Sequence, residues 1–108
     1  RVVATFVAAA RAAGLPTREL RARSYDGRST YRTGIEGWYV RRDRSLGVGT
    51  DGRFYVLSAP GSLRALVRGV RLEPAAPPLV VGRGARDGES MPLAEQLRLR
   101  LEAGDDWP

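Results

Sequence analysis

Residues 36–57 read EGWYVRRDRSLGVGTDGRFYVL and carry the clearest strand pattern in the chain. Near the start of this stretch, side chains alternate with the period of a half-buried strand, with Trp38 and Val40 on one side. An Asp-Gly turn dipeptide follows, with a short strand on each side of it. These two further strands span residues 46–49 and 53–57. The stretch therefore predicts an antiparallel meander of three strands.

The turn between the second and third strands decides which side chains share a face. A two-residue turn at Asp51 and Gly52 makes both faces of the hairpin apolar. We prefer a three-residue turn that begins at Thr50, with Gly52 left-handed in a bulge, because it leaves one clean apolar face. The pairs that result are Val48 with Phe54 and Leu46 with Val56. The predicted core face consists of Trp38, Val40, Leu46, Val48, Phe54 and Val56.

Toward the N-terminus, residues 2–13 are rich in alanine and place larger apolar side chains at helical spacing. Gly14 and Pro16 follow, which is typical of a helix end. Residues 18–25 fit a polar strand and a short helix almost equally well. We interpret them as a strand followed by an arginine-bearing loop that runs through Gly34 and includes an Asp-Gly turn.

Beyond the meander, short elements alternate with proline-containing connections. Residues 62–68 predict a short helix or turn, and residues 70–72 predict a short strand. Residues 79–81 indicate a buried strand, and Ser90 is the predicted N-cap of a helix over residues 91–103. The apolar stripe of that helix consists of Leu93, Leu97 and Leu101.

Together these elements predict one α+β domain over residues 1–108. Its centre is an antiparallel four- to five-stranded sheet built on the meander, with the N- and C-terminal helices packed on one face. Residues 105–108 are expected to form a frayed tail unless Trp107 docks. The chain begins at Arg1 without a methionine, which fits a numbering that starts inside a longer gene product.

The composition restricts the chemistry that this chain can perform. Its 18 basic residues are all arginine, and it contains neither histidine nor cysteine. The usual general base near neutral pH, the thiolate nucleophile and the common zinc ligands are therefore missing. We expect a non-catalytic protein with no catalytic residue, no metal and no cofactor. No apolar run approaches the roughly 18 residues of a membrane span, so we also expect a cytoplasmic protein without membrane contact.

Positive charge is concentrated in the front two-thirds of the chain. Residues 1–72 hold 14 arginines against five acids, a net charge of +9, whereas residues 73–108 carry −3. The predicted outer face of the meander places tyrosines among these arginines. The candidate partner-binding residues are Tyr39, Arg41, Arg42, Arg44, Arg53 and Tyr55. Such a surface can pair with phosphates and stack on bases, which favours nucleic acid or an acidic protein as the partner. The alternative is an ordinary polar sheet face whose arginine excess reflects GC-rich coding.

A second candidate site is the glycine-rich loop over residues 82–89, between a predicted strand and a predicted helix. Its candidate anion-binding residues are Gly82, Arg83, Gly84 and Arg86. Backbone amides at such a helix start can hold a phosphate. However, Asp87 and Glu89 bring negative charge to the same place, so we favour a structural loop in which the arginines pair with these acids.

The segments EGWYVRR (36–42), GTDGRFYVL (49–57) and PPLVVGRGARDGE (77–89) resemble a family of small uncharacterised proteins from high-GC actinobacteria. The resemblance extends over roughly residues 15–101. It implies a bacterial protein, and no function or catalytic residue comes with it. The residues themselves favour non-catalytic binding of an anionic partner, a class that includes nucleic acid. The alternatives are a protein-interaction or oligomerisation module, including a homo-oligomer, and then a small enzyme without histidine and cysteine.

Overall fold

The structure is a computed structural model that describes residues 1–81, 91–104 and 107. The helices within these residues are α1 (Val2–Ala12), α2 (Leu63–Arg68) and α3 (Leu93–Ala103). The strands are β1 (Arg18–Ser24), β2 (Thr30–Tyr39), β3 (Leu46–Gly49), β4 (Phe54–Val56), β5 (Ser58–Ala59), β6 (Val80–Val81) and β7 (Met91–Pro92). The protein is therefore α+β, as the sequence predicts.

Five strands form the main sheet in the order β4-β3-β2-β1-β5. Neighbouring strands pair antiparallel except β1 and β5, which run parallel. The two short strands β6 and β7 pair with each other in a second sheet. A five-stranded and mostly antiparallel sheet with a helix at each end of the chain agrees with the expected architecture.

The ends of the helices follow local sequence signals. Gly14 comes just after α1 and Gly104 just after α3, as expected for C-terminal stops. The hydroxyl of Ser62 accepts a backbone N–H from the first turn of α2 and so caps that helix. The helix α3 begins at Leu93, two residues later than predicted, because β7 occupies the two positions before it. The predicted cap Ser90 lies outside the described residues.

One face of the main sheet, here called the helix face, packs against both terminal helices. Its core cluster consists of Val3, Phe6, Ala10, Leu15, Trp38, Val40, Val48, Phe54, Val81, Leu93 and Leu97. At its centre, the Trp38 ring meets the edge of Phe6 at a centroid distance of 5.7 Å. The indole N–H of Trp38 donates to the carbonyl of Leu15 at 3.1 Å. Residues from α1, α3 and the meander therefore share one core.

The opposite face, here called the strap face, is covered as well. Its buried residues are Leu20, Ala22, Tyr31, Tyr39, Tyr55, Leu57 and Ala59. The cover consists of α2 and residues 69–75, here called the strap, from which Leu72 packs against these side chains. Backbone bonds fix the strap at both ends, from Val70 to Arg32 at 2.9 Å and from Ala75 to Phe54 at 2.8 Å. Both faces of the sheet consequently hold core residues.

The turn between β3 and β4 has the predicted three-residue form. Gly52 is left-handed, with φ of 82°, a region in which glycine lacks the steric cost of a side chain. The N–H of Gly49 donates to the carbonyl of Arg53 at 2.9 Å and closes the turn. The predicted pairs are confirmed, with Val48 opposite Phe54 and Leu46 opposite Val56. The core position predicted for Val56 is wrong, since this side chain is 48% exposed on the edge strand β4.

Two other segments differ from the sequence prediction. The arginine-bearing loop was expected to run through Gly34, but β2 already begins at Thr30 and pairs Tyr31 with Ala22 of β1. This pairing buries the Tyr31 ring, which a loop would leave in solvent. Residues 70–72 belong to the strap and form no strand, because they cross the strap face instead of joining the sheet.

Trp107 docks against the strap face near the end of the chain and is 8% exposed. The guanidinium carbons of Arg42 and Arg100 lie 4.5 Å and 5.2 Å from its ring centroid. The tail was expected to be frayed unless Trp107 docks, and the structure shows Trp107 docked. Residues 105, 106 and 108 lie outside the described residues. Among the helices that the structure describes, none is long and apolar enough to cross a membrane.

Candidate anion-binding interface

The two tyrosines that were predicted to face solvent are buried, at 4% exposure for Tyr39 and 5% for Tyr55. The Tyr39 hydroxyl accepts the backbone N–H of Arg21 at 2.9 Å, and the Tyr55 hydroxyl donates to Asp51 Oδ2 at 2.8 Å. Burial, and then the bond to this carboxylate, raise the pKa of Tyr55 above its usual value. The predicted exposure was wrong because the strap and Trp107 cover this face, which strand alternation alone does not reveal.

Two of the predicted arginines lie against aromatic rings. Arg42 stacks on Trp107, as described above, and the guanidinium carbon of Arg44 lies 5.2 Å from the Tyr39 centroid. Arg18, from the start of β1, approaches the same Tyr39 ring at 5.3 Å. These cations are therefore partly engaged in holding aromatic residues of the strap face.

The remaining predicted residues are not all in one surface with these two arginines. The side chain of Arg41 is 18% exposed, and its Nε lies 4.0 Å from Asp43 Oδ2. Arg53 is exposed at the β3–β4 turn. The predicted anion loop lies outside the described residues, and its residues are Gly82, Arg83, Gly84 and Arg86 together with the acids Asp87 and Glu89. Partner binding by any of these side chains stays a prediction.

A different group of arginines lies together on the β1 side of the helix face. Arg21 and Arg23 alternate with the buried residues of β1 and are exposed. Arg21 is paired with Arg32 of β2 and Arg23 with Thr30, so all four side chains leave the same face. Arg32 is also exposed, at 71%. Arg21, Arg23 and Arg32 are called the arginine face below.

Two acids, Glu19 and Glu36, face each other across β1 and β2 beside these arginines, and Glu19 neutralises part of their charge. Glu19 Oε2 accepts the N–H of Gly34 at 3.0 Å, and Glu19 Oε1 accepts the Arg32 guanidinium at 3.2 Å. The bond from Gly34, followed by the bond from Arg32, lowers the pKa of Glu19 below its usual value. Arg21 and Arg23 form no ion pair in the part of the chain that the structure describes. The arginine face therefore keeps a net positive charge.

The turn between β1 and β2 extends this surface. Asp26 Oδ1 accepts the hydroxyl of Ser24 at 2.6 Å and the N–H of Arg28 at 3.0 Å, which fixes the turn. These two bonds, the one from Ser24 first, lower the pKa of Asp26, so it is ionised at neutral pH. The ordered turn presents Tyr25, which is 73% exposed, and an exposed Arg28. An aromatic ring and another cation thus stand at one end of the arginine face.

A cleft of about 380 Å³ opens beside the turn, between it, the β2–β3 loop and β5. The residues on its walls that carry charge or an aromatic ring are Arg23, Tyr25, Asp26, Asp43 and Arg44. The cleft therefore combines two permanent cations, two carboxylates and one exposed ring.

A larger cleft of about 570 Å³ lies between the β2–β3 loop and α3. The charged residues on its wall are Arg41, Arg42, Asp43 and Glu102, and Glu102 is already paired with Arg98 on α3. Gln96, also on its wall, donates to the carbonyl of Val40 at 2.9 Å and so supports the fold. We favour the arginine face and its adjoining cleft as the candidate site, because Arg23 joins this cleft to a row of exposed arginines.

The candidate site favoured by the geometry lies on other strands than the predicted one, although the sequence held a usable signal for it. In residues 18–24, Leu20 and Ala22 alternate with Arg21 and Arg23, which is the period of a strand with one charged face. The segment was also compatible with a short helix, and its pairing with Tyr31 depends on the register of a second strand. The local pattern alone could not decide between the two.

Among the described residues, no group of three or more carboxylates is arranged to hold a metal ion. Comparison with known proteins gave no matching family model, no matching curated protein and no matching solved structure. The arginine face is therefore interpreted from its own geometry and charge.

Proposed function

We propose that this protein binds nucleic acid without catalysis, through phosphate contacts made by the arginine face. The observation that carries the proposal is the alignment of Arg21, Arg23 and Arg32 on one exposed sheet face, with two of the three outside any ion pair in the described residues. Guanidinium groups are permanently charged and match phosphate oxygens in a bidentate way. The bacterial and cytoplasmic setting expected from the sequence is part of the same proposal.

The charge of the site sets the expected salt dependence. Among the cations of the site, Arg21, Arg23 and Arg28 form no ion pair with a described acid. If each of these three arginines neutralises one phosphate and releases its condensed counterions, the binding constant falls by roughly 2–3 powers of ten for each tenfold rise in salt. Such binding is weak at physiological salt unless further contacts add to it.

The test is a titration of fluorescently labelled single- and double-stranded oligonucleotides at about 50 mM and about 200 mM salt. Replacing Arg21 and Arg23 together by glutamine should reduce the salt slope by roughly 1.4–1.8, because two phosphate contacts are lost. The matched control replaces Arg64 and Arg68 of α2, which are exposed on the other side of the sheet, and changes the net charge equally. An equal loss in both double variants contradicts a localised site, and absence of binding at low salt contradicts the proposal.

A second candidate function is protein interaction through α2. Leu63, Leu66 and Val67 are 84%, 54% and 87% exposed, and only Ala65 of this helix is buried. Apolar side chains at this helical spacing form a surface that the fold itself does not use. We take the contact to be with a second copy of this chain, and its salt dependence separates it from nucleic-acid binding.

A further inference from the structure

We infer that the cleft at the end of the arginine face receives an unpaired nucleobase that carries an exocyclic amino group, so that the protein prefers single strands to duplexes. This inference rests on the proposed function and names its ligand class. It is carried by the position of the cleft, which Arg23 joins directly to the arginine face. A strand held by Arg21 and Arg23 through its phosphates would pass the mouth of the cleft.

The exposed ring at the cleft is suited to stacking on a base. Tyr25 is 73% exposed although its own backbone is fixed, because its N–H donates to the carbonyl of Ala59 at 3.0 Å. A ring on a fixed backbone loses little freedom when a base stacks on it. In a duplex the base faces are covered by neighbouring pairs, so only a splayed or single-stranded base can use Tyr25.

Two cations from different elements line the same cleft. Arg23 leaves β1, whereas Arg44 comes from the β2–β3 loop, where it also stacks on Tyr39. Phosphates on either side of the inserted nucleotide can contact these two guanidinium groups. The cleft volume of about 380 Å³ lies within the range of small-molecule sites, which begins near roughly 300 Å³.

The carboxylates of the cleft are acceptors with one oxygen already engaged. Asp26 Oδ1 binds the turn, as described above, and Asp43 Oδ1 accepts both the N–H of Ser45 at 3.0 Å and its hydroxyl. Asp26 Oδ2 takes no part in these bonds, whereas Asp43 Oδ2 lies 4.0 Å from the Nε of Arg41. Carboxylates accept from the exocyclic amine of cytosine, whereas thymine presents a carbonyl at that position and would be repelled. The geometry thus favours cytosine over thymine.

The experiment measures binding of oligo-dC, oligo-dT and a mixed-sequence duplex of equal length at low salt and neutral pH. The parent protein should bind oligo-dC most tightly. Replacing Tyr25 by alanine should weaken oligo-dC binding by about 5- to 150-fold, the loss of one stacked base, and leave duplex binding unchanged. Tyr25→Phe is the control, because it keeps the ring and should retain the preference.

A further variant tests the carboxylates. Asp26→Asn keeps an oxygen for the bonds to Ser24 and Arg28 but removes the negative charge, so the preference for oligo-dC over oligo-dT should shrink. Equal binding of oligo-dC and oligo-dT by the parent protein overturns the base preference.

The same measurements separate base binding in the cleft from phosphate binding by the arginine face. Suppose that the protein binds single strands and duplex equally, that Tyr25→Ala changes neither affinity, and that the Arg21 and Arg23 double variant still loses binding. This result overturns base binding in the cleft but leaves phosphate binding by the arginine face intact. Absence of binding to all three oligonucleotides overturns both.

Discussion

Trp38 is the residue on which the helix face most depends. It is 2% exposed, contacts Phe6 edge-on and donates its indole N–H to the Leu15 carbonyl just beyond α1. One side chain therefore connects the central strand β2, the first helix and the loop that follows it. A buried ring of this size removes a large apolar area from water on folding.

Replacing Trp38 by alanine should lower the free energy of unfolding by about 3–5 kcal/mol, because it leaves a large cavity and an unpaired carbonyl. Urea denaturation of the parent and the variant measures this difference. Val56→Ala is the control: it changes a residue predicted for the same face but found 48% exposed, and should cost less than about 1 kcal/mol. Similar losses in both variants would restore Val56 to the core.

At the scale of elements, the sequence predicted well the turns and helix ends that are determined by adjacent residues. The β3–β4 hairpin, its left-handed Gly52 and the end of α1 follow from a few adjacent residues each. The start of β2 did not, because Thr30 becomes a strand residue only through pairing with β1. The burial of Tyr39 likewise depends on the strap, which comes some thirty residues later in the chain. A pattern of alternation cannot contain that information.

The contact between β2 and β3 is unusually close at Gly37. A Cβ atom at this position would lie 2.1 Å from the carbonyl oxygen of Val48 and 2.8 Å from the Cα of Gly49. Gly37→Ala should therefore separate the two strands and destabilise the protein by about 1–3 kcal/mol or more, which chemical denaturation would show. Gly61→Ala, whose nearest contact is 4.0 Å away, is the matched control and should be close to neutral. A stable Gly37→Ala protein would contradict the described register.

At the scale of the whole molecule, the arginines divide by what they contact. Some stack on the aromatic rings of the strap face, some pair with acids on α3 or β1, and the arginine face retains its charge. The net charge of the front two-thirds of the chain is therefore not spread over one continuous surface. The sign of this charge can be read from the residues, but its location cannot, because it depends on which face of β1 the strap leaves open.

Salt separates the two candidate functions of the molecule. Contact between two copies through Leu66 and Val67 buries apolar side chains but brings Arg64 and Arg68 of each copy together. Because salt screens the repulsion between these arginines, self-association should strengthen as salt rises. Phosphate binding should weaken under the same conditions. Sedimentation equilibrium at low and high salt measures this self-association. Val67→Ser should reduce it while changing stability by less than about 0.5 kcal/mol, since the side chain is 87% exposed. A monomer at every salt concentration contradicts this second function.

The parallel pairing of β5 with β1 has a kinetic consequence. The backbone N–H of Arg23 donates to the carbonyl of Leu57 at 3.1 Å, so the chain must return to β1 after completing three other strands. Hairpins close early in folding, and pairings between distant segments close late because more chain must be ordered first. The cleft beside Tyr25 depends on this late closure, since β5 forms one of its walls. Local opening should therefore expose the amides of β5 and the neighbouring turn to deuterium exchange well before those in the middle of β2. A ligand in the cleft would slow exchange at the same amides, which makes them natural reporters of its binding.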